Sequence, residues 1–195
     1  MKKEEEEMAL VQVGEMYNIV DNIVKAVRTK AESFGLTDGA IGICCVNDRS
    51  YTKKKHVACF ESWRDEDILH VFALKKGGSY IVKDAADKEA AQCFGVIAAK
   101  IAATAKAYEA TGGKALTSDS CRDEDNIPGR QNWGGCVLFP LEINGKLCGK
   151  IYVAVSGGRE YEDVLCAWEA YGPIRNGLVA CDTTNPGPVD YEKND

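Results

Sequence analysis

Apolar side chains at Leu10, Val13, Tyr17, Val20, Ile23/Val24, Val27, Ala31 and Phe34 recur at three- and four-residue steps. That period predicts an amphipathic helix over 9–34, stopped by Gly35. Ala40 to Val46 is a continuous, partly β-branched apolar run followed by the turn residues Asn47-Asp48-Arg49-Ser50, and Val57 to Glu61 is a second strand-like run. Between 62 and 82 the pattern is mixed. Ser62 followed by Asp65 resembles a capping box, yet Ile68 to Leu74 and Ser79 to Val82 read as extended. One or two short strands are expected there.

The stretch 83–110 carries the strongest helical signal. From Ala85 to Ala110 it is dominated by Ala, Lys and Glu without a proline, and Gly112-Gly113 ends it. So many small side chains let another backbone come close, either the sheet or the same helix of another subunit. Residues 113–135 form a polar loop of a length that is unusual in compact domains. Cys136 to Ile143 and Leu147 to Val155 flank Asn144-Gly145, a pair suited to the positive φ angles of a two-residue hairpin turn. Such a loop would set Leu138 opposite Ile151, Leu141 opposite Cys148, Val137 opposite Tyr152 and Cys136 opposite Val153. Both faces of this hairpin are apolar, so both need cover. A last helix is expected over about 160–179, with Val164, Leu165, Trp168, Tyr171 and Ile174 or Arg175 on one side.

Charge narrows the function classes. The chain has 195 residues and a formal net charge of −6. The acids concentrate at the ends, in Glu4 to Glu7 and in Asp182, Asp190, Glu192 and Asp195. This predicts an acidic head (1–8), one α/β domain (9–181) and an acidic, loosely held tail (182–195). A nearly neutral body with acidic ends disfavours nucleic acid, because phosphate contacts need clustered Lys/Arg, and Lys53-Lys54-Lys55 is the single basic run. No stretch approaches the ~18 apolar residues of a membrane span. The start MKKEEEEMAL lacks the basic-then-apolar pattern of a secretory leader, so a cytoplasmic protein is expected.

Nine cysteines are present, with no Cys-x-x-Cys pair, and only two histidines, His56 and His70. Structural zinc sites show paired ligands at short spacing, which is missing here. Cysteines inside apolar runs, such as Cys44, Cys45 and Cys59, read as small buried hydrophobes in a reducing compartment. Asp119, Asp123, Glu124 and Asp125 invite a calcium reading, but the glycine and terminal glutamate of the helix–loop–helix site are absent.

Gly134-Gly135, a strand, a Gly-containing turn, then Gly149 to Val155, Ser156-Gly157 and a helix reading Tyr161-Glu162-Asp163-Val164-Leu165-Cys166-Ala167 resemble the GlcG/HbpS-like family, which includes the C-terminal domain of PduO-type proteins. Lys100 within the Ala-rich helix, Thr111 and Leu116 are similar too. The resemblance covers about 85–180 well and 9–50 loosely. It departs from the family at Lys150 and Tyr152, where small or apolar residues are usual, and in an enlarged 113–133 loop. It implies a single α/β domain of profilin-like layering: an antiparallel sheet of about five strands packed with N-terminal, central and C-terminal helices, often oligomeric. Some members bind haem.

Three functions are weighed, and ligand binding is expected ahead of catalysis. The first is a small-ligand-binding protein, with haem as a candidate cofactor. Its candidate axial ligands are His56 and His70. Lys100 and Thr104, four apart on one helical face, are candidate pocket residues. Ser156, Gly157, Gly158 and Arg159 are a candidate anion site where a helix starts after a strand, although a tight turn with Ser156 as cap is the simpler reading. The second is an enzyme built on a cysteine nucleophile, for which no Cys/His pairing is singled out. Glu162 and Asp163 are adjacent and diverge on a helix, so they form no carboxylate dyad. The third is a homo-oligomeric interaction or scaffolding protein without a cofactor.

Overall fold

A computed structural model describes residues 8–11, 13–48, 57–60, 68–118, 134–179 and 181–184. In chain order the elements are β1 (Met8–Val11), α1 (Val13–Ser33), β2 (Ala40–Asn47), β3 (Val57–Phe60), β4 (Ile68–Ala73), β5 (Tyr80–Ile81), α2 (Lys88–Ala110), β6 (Cys136–Ile143), β7 (Lys146–Ser156), α3 (Glu160–Trp168), α4 (Tyr171–Gly177) and β8 (Asp182–Thr183). The principal sheet is antiparallel with strand order β5-β4-β2-β7-β6-β8. The α/β class and the antiparallel sheet match the expectation, with six strands rather than about five.

Alternation along the strands sorts the core into two halves. Ile41, Ile43, Cys45, Val137, Phe139, Leu141, Ile151, Val153 and Val155 point to one face, where α1, α3 and α4 cover them with Ile19, Ile23, Val27, Val164 and Ile174. Ala40, Cys44, Val71, Cys136, Leu138, Tyr152 and Ala154 point to the other, under Phe94 and Ile97 of α2. The two-sided hairpin is therefore covered by helices on both sides, as its unbroken apolar pattern demands. Gly42 allows a close approach of α2. A Cβ there would lie 2.0 Å from Ile97 Cγ2.

Several boundaries differ from the sequence reading. The first helix begins at Val13, and Met8–Val11 is instead a strand that pairs in parallel with β3. Short apolar runs fit a strand as well as a helix, and here the partner decides. Val57–Phe60 is thus a strand as expected, but it belongs to this separate two-stranded sheet. The central helix starts at Lys88, where the Asp87 carboxylate accepts from the amides of Glu89 and Ala90. The expected single helix over 160–179 is two, α3 and α4. Pro173 has no N–H to give the carbonyl of Glu169, so the helix breaks and restarts with the proline in its first turn.

The Asn144-Gly145 turn reverses the chain as predicted, with φ of 52° and 69°. Next to it Ile143 pairs with Lys146 and Glu142 with Leu147, the register of a two-residue loop. A bulge then shifts the ladder by one residue. Leu141 faces Gly149, Leu138 faces Tyr152, Val137 faces Val153 and Cys136 faces Ala154. The expected pairs Leu138–Ile151, Leu141–Cys148, Val137–Tyr152 and Cys136–Val153 are thereby corrected. Cys148 is the extra residue, and its buried thiol lies 3.2 Å from the Leu141 carbonyl. Leu116 and Thr117, at the start of the long polar loop, dock on β6: the Leu138 amide donates to the Leu116 carbonyl at 2.8 Å, and Thr117 bridges Val137.

Among the described residues no helix is long and apolar enough to cross a membrane. His56, the Lys53–Lys55 run, the capping-box pair Ser62/Asp65, the acids from Asp119 to Asp125 and the tail prolines lie outside the described residues.

Candidate functional site

Two places gather the candidate residues. The first is the end of β7. Lys100, the one charged residue on the buried row of α2, is 5% exposed. Its ammonium donates to Asp163 Oδ2 at 2.8 Å and to the Val155 carbonyl at 2.6 Å. The other oxygen of Asp163 accepts from the Gly158 amide at 2.9 Å. Since α2 and α3 lie on opposite faces of the sheet, this ion pair wraps the end of the sheet and ties the two layers together. Burial pushes the Asp163 carboxyl up, while Lys100 and the Gly158 amide pull it back down.

Glycine makes room for this junction. Gly135 has φ of 90°, and a Cβ there would lie 2.7 Å from Lys100 Nζ and 2.8 Å from Asp163 Cβ. At Gly157 a Cβ would come 2.3 Å from the Asp38 carbonyl oxygen. The start of α3 is filled by its own carboxylates: the Arg159 amide donates to Glu162 Oε2 at 2.7 Å, and Asp163 takes the Gly158 amide. These two acids occupy the place an external anion would take. Ser156 ends β7 opposite Ala40 rather than capping the helix.

Thr104 is fully buried one turn after Lys100 and donates to the Lys100 carbonyl at 3.1 Å. Lys100, Gly157, Gly158 and Arg159 are therefore brought to one corner, through Asp163. The paired role of Asp163 escaped the sequence reading. Its signal was Lys100 itself, since a lysine on the inward row of an Ala-rich helix needs a counter-charge.

Cys136, beneath Thr104, has its thiol pushed up to about 12 by burial, against smaller opposing effects of Thr104 and Lys100. Burial likewise pushes Cys166 up to about 12. Such thiols stay protonated at neutral pH and are poor nucleophiles.

The second place is the β4–β5 edge on the α1 side. His70 is the β4 partner of Ile43, and its ring lies 6.4 Å from Tyr17 and 6.0 Å from Tyr80, both tilted toward edge-on contact. Phe72, two residues along the same face, meets Tyr80 at 5.2 Å. Tyr17 is 60% exposed and Tyr80 47%. Desolvation lowers the His70 pKa from its ordinary value of 6.5, so the imidazole is neutral at pH 7. Beside this cluster Arg28 donates from its guanidinium to the carbonyls of Ala73 and Gly78 at 2.7 and 2.8 Å, clamping the β4–β5 turn to α1.

A haem-class ligand needs an imidazole, a flat apolar surface and cations for its propionates. His70 supplies the first, and Tyr17, Phe72 and Tyr80 supply the second. Arg28 commits Nε and Nη2 to backbone carbonyls, which leaves the two N–H donors of Nη1 for an anionic group. Among the described residues no group of three or more His, Cys, Asp or Glu converges as a metal site, which leaves single-imidazole ligation as the chemistry to consider. No family model, curated protein or solved structure matches this chain.

Proposed function

We propose that this protein is a small-ligand-binding module of the GlcG/HbpS-like kind, without catalytic machinery, and that it takes a planar ligand of the haem class at the β4–β5 edge. One observation carries the reading: a neutral, half-buried imidazole on a sheet face is flanked by two tyrosines that keep about half or more of their surface exposed. Exposed aromatic area next to a metal-competent nitrogen is the composition of a binding surface rather than of a solvated edge. His70 would ligate the iron, and Tyr17, Tyr80 and Phe72 would contact the ring. The bound group would bring redox and gas-ligand chemistry. The order of strands and helices around the ribbon supports the kinship, and the high pKa values of Cys136 and Cys166 argue against thiol catalysis. Buried thiols on every layer suit a reducing, cytoplasmic setting.

The test is titration of the full chain with hemin, followed by absorbance near the Soret band. Saturation at one equivalent is expected, with His70→Ala abolishing the shifted band and Tyr80→Ala weakening binding. Saturable binding that His70→Ala leaves untouched overturns the assignment of this edge. Failure of hemin to bind at all overturns the haem class.

A further inference from the structure

We propose that the outward face of α2 is a self-association surface on which a second copy of this chain packs its own α2 antiparallel, about a twofold axis between Ala98 and Ala99. Between Glu89 and Lys106 this helix shows no charge to solvent. Its single charged residue there, Lys100, is turned inward. The exposed positions there are Ala91, Gln92, Gly95, Ala98 and Ala102, with Gln92 the one polar side chain among them, flanked by partly exposed Val96 and Ile101. Nothing lies within 4 Å of where a Cβ on Gly95 would sit. A surface helix ordinarily carries charged residues along its outer face, and a contiguous run of small apolar positions there marks an association surface.

The charges that bound the row identify the occupant. Lys88 and Glu109 are both exposed and lie at equal distances from the Ala98/Ala99 midpoint. An antiparallel pairing about that midpoint sets Gly95 against Ala102 of the second copy. It also sets Lys88 of each copy against Glu109 of the other. A parallel pairing would instead oppose Lys88 with Lys88 and Glu109 with Glu109. The antiparallel arrangement also opposes the two helix dipoles favourably. Lys88, Gly95, Ala102 and Glu109 follow one another at seven-residue steps, the repeat of a left-handed helix pair, and small side chains let the axes approach closely. The contact is isologous, so it closes as a dimer. It lies on the sheet face opposite His70 and is independent of the ligand reading.

Sedimentation equilibrium of the full chain is expected to give a dimer or an even multiple of it. Gly95→Glu and Ala98→Glu, at exposed positions, are expected to give monomers with unchanged circular dichroism. Lys88→Glu should raise the dimer Kd by about tenfold through two like-charge contacts, and Lys88→Glu combined with Glu109→Lys should restore it. A monomeric wild type overturns the proposal. So does an oligomer that Gly95→Glu leaves intact, or one that the charge swap fails to rescue.

Discussion

The helices α1 and α2 have nearly equal lengths, 21 and 23 residues, and each lies on one face of the same sheet, yet they solve different problems. The inner row of α1 is Ile19, Ile23 and Val27, and its outer row is polar: Glu15, Asn18, Asp21, Lys25 and Glu32 are exposed. It fits the amphipathic pattern of a helix whose other side meets water. In α2 the exposed positions between Gln92 and Lys106 are apolar, and the polar Lys100 and Thr104 of that stretch are the buried ones. The sheet answers in kind. Branched side chains and Phe139 face α1, whereas the small residues Ala40, Gly42, Cys44, Cys136 and Ala154 stand among Val71, Leu138 and Tyr152 on the face toward α2. The α1 layer gains by filling volume; the α2 layer gains by close approach and by one ion pair that reaches around to α3.

The largest effect is expected where the two layers are tied. Lys100→Met leaves Asp163 enclosed without its counter-charge, and removal of one partner from a buried pair costs roughly 3–5 kcal/mol. Urea unfolding should show that loss, and Lys100→Met with Asp163→Leu should recover much of it, since replacing both partners by apolar groups removes the uncompensated charge. Equal stability of the single and double variants would mean that the pair does not join the layers.

Next come the packing differences. Ile97→Ala and Ile23→Ala should each cost about 2–5 kcal/mol. Gly42→Ala, which puts a methyl 2.0 Å from Ile97 Cγ2, should cost about 1–3 kcal/mol. Only on the α2 side should the two changes couple. Gly42→Ala in the Ile97→Ala background should be milder by about 1 kcal/mol or more, while in the Ile23→Ala background it should add. A double-mutant cycle by urea denaturation separates these outcomes.

This difference was half legible in the chain. The periodicity of 9–34 and the alanine content of 85–110 marked both helices, and Asn144-Gly145 marked the hairpin. The unbroken apolar runs of β6 and β7 announced cover on both faces. What stayed hidden depends on partners distant in sequence: the parallel pairing of Met8–Val11 with Val57–Phe60, the bulge at Cys148, and the pairing of Lys100 with Asp163, 63 residues on. A strand-to-helix turn at Ser156 to Arg159 was legible. Only the fold shows that Glu162 and Asp163 already take its amides. Of the aromatic edge, His70 was visible by type alone, because Tyr17 and Tyr80 reach it from other elements.

A smaller, pH-dependent effect belongs to the α1 side. The folded-state pKa of His70 lies below its ordinary value of 6.5. The unfolded chain therefore binds the proton more readily. The contribution of His70 to stability is complete above that ordinary value and is lost as pH falls through it toward the lowered folded pKa. Urea midpoints measured from pH 8 to 5 should fall more steeply for the wild type than for His70→Phe. Parallel slopes would remove burial of this imidazole from the account.

The smallest effect serves as a control on both layers. Asn144 sits at φ 52°, a left-handed conformation that costs a residue with a Cβ about 1–2 kcal/mol and that asparagine tolerates better than alanine. Asn144→Ala should lower stability by about 1 kcal/mol, and Asn144→Gly should be close to neutral. The two pairs beside the turn keep the register of a two-residue loop, and the shift occurs beyond them, at Cys148. A weakened turn should therefore leave unchanged which residues of β6 and β7 face α1 and which face α2. Near-UV circular dichroism of folded Asn144→Ala should match the wild type. A change would show that the turn, and not the bulge, sets how the two faces are divided between the helices.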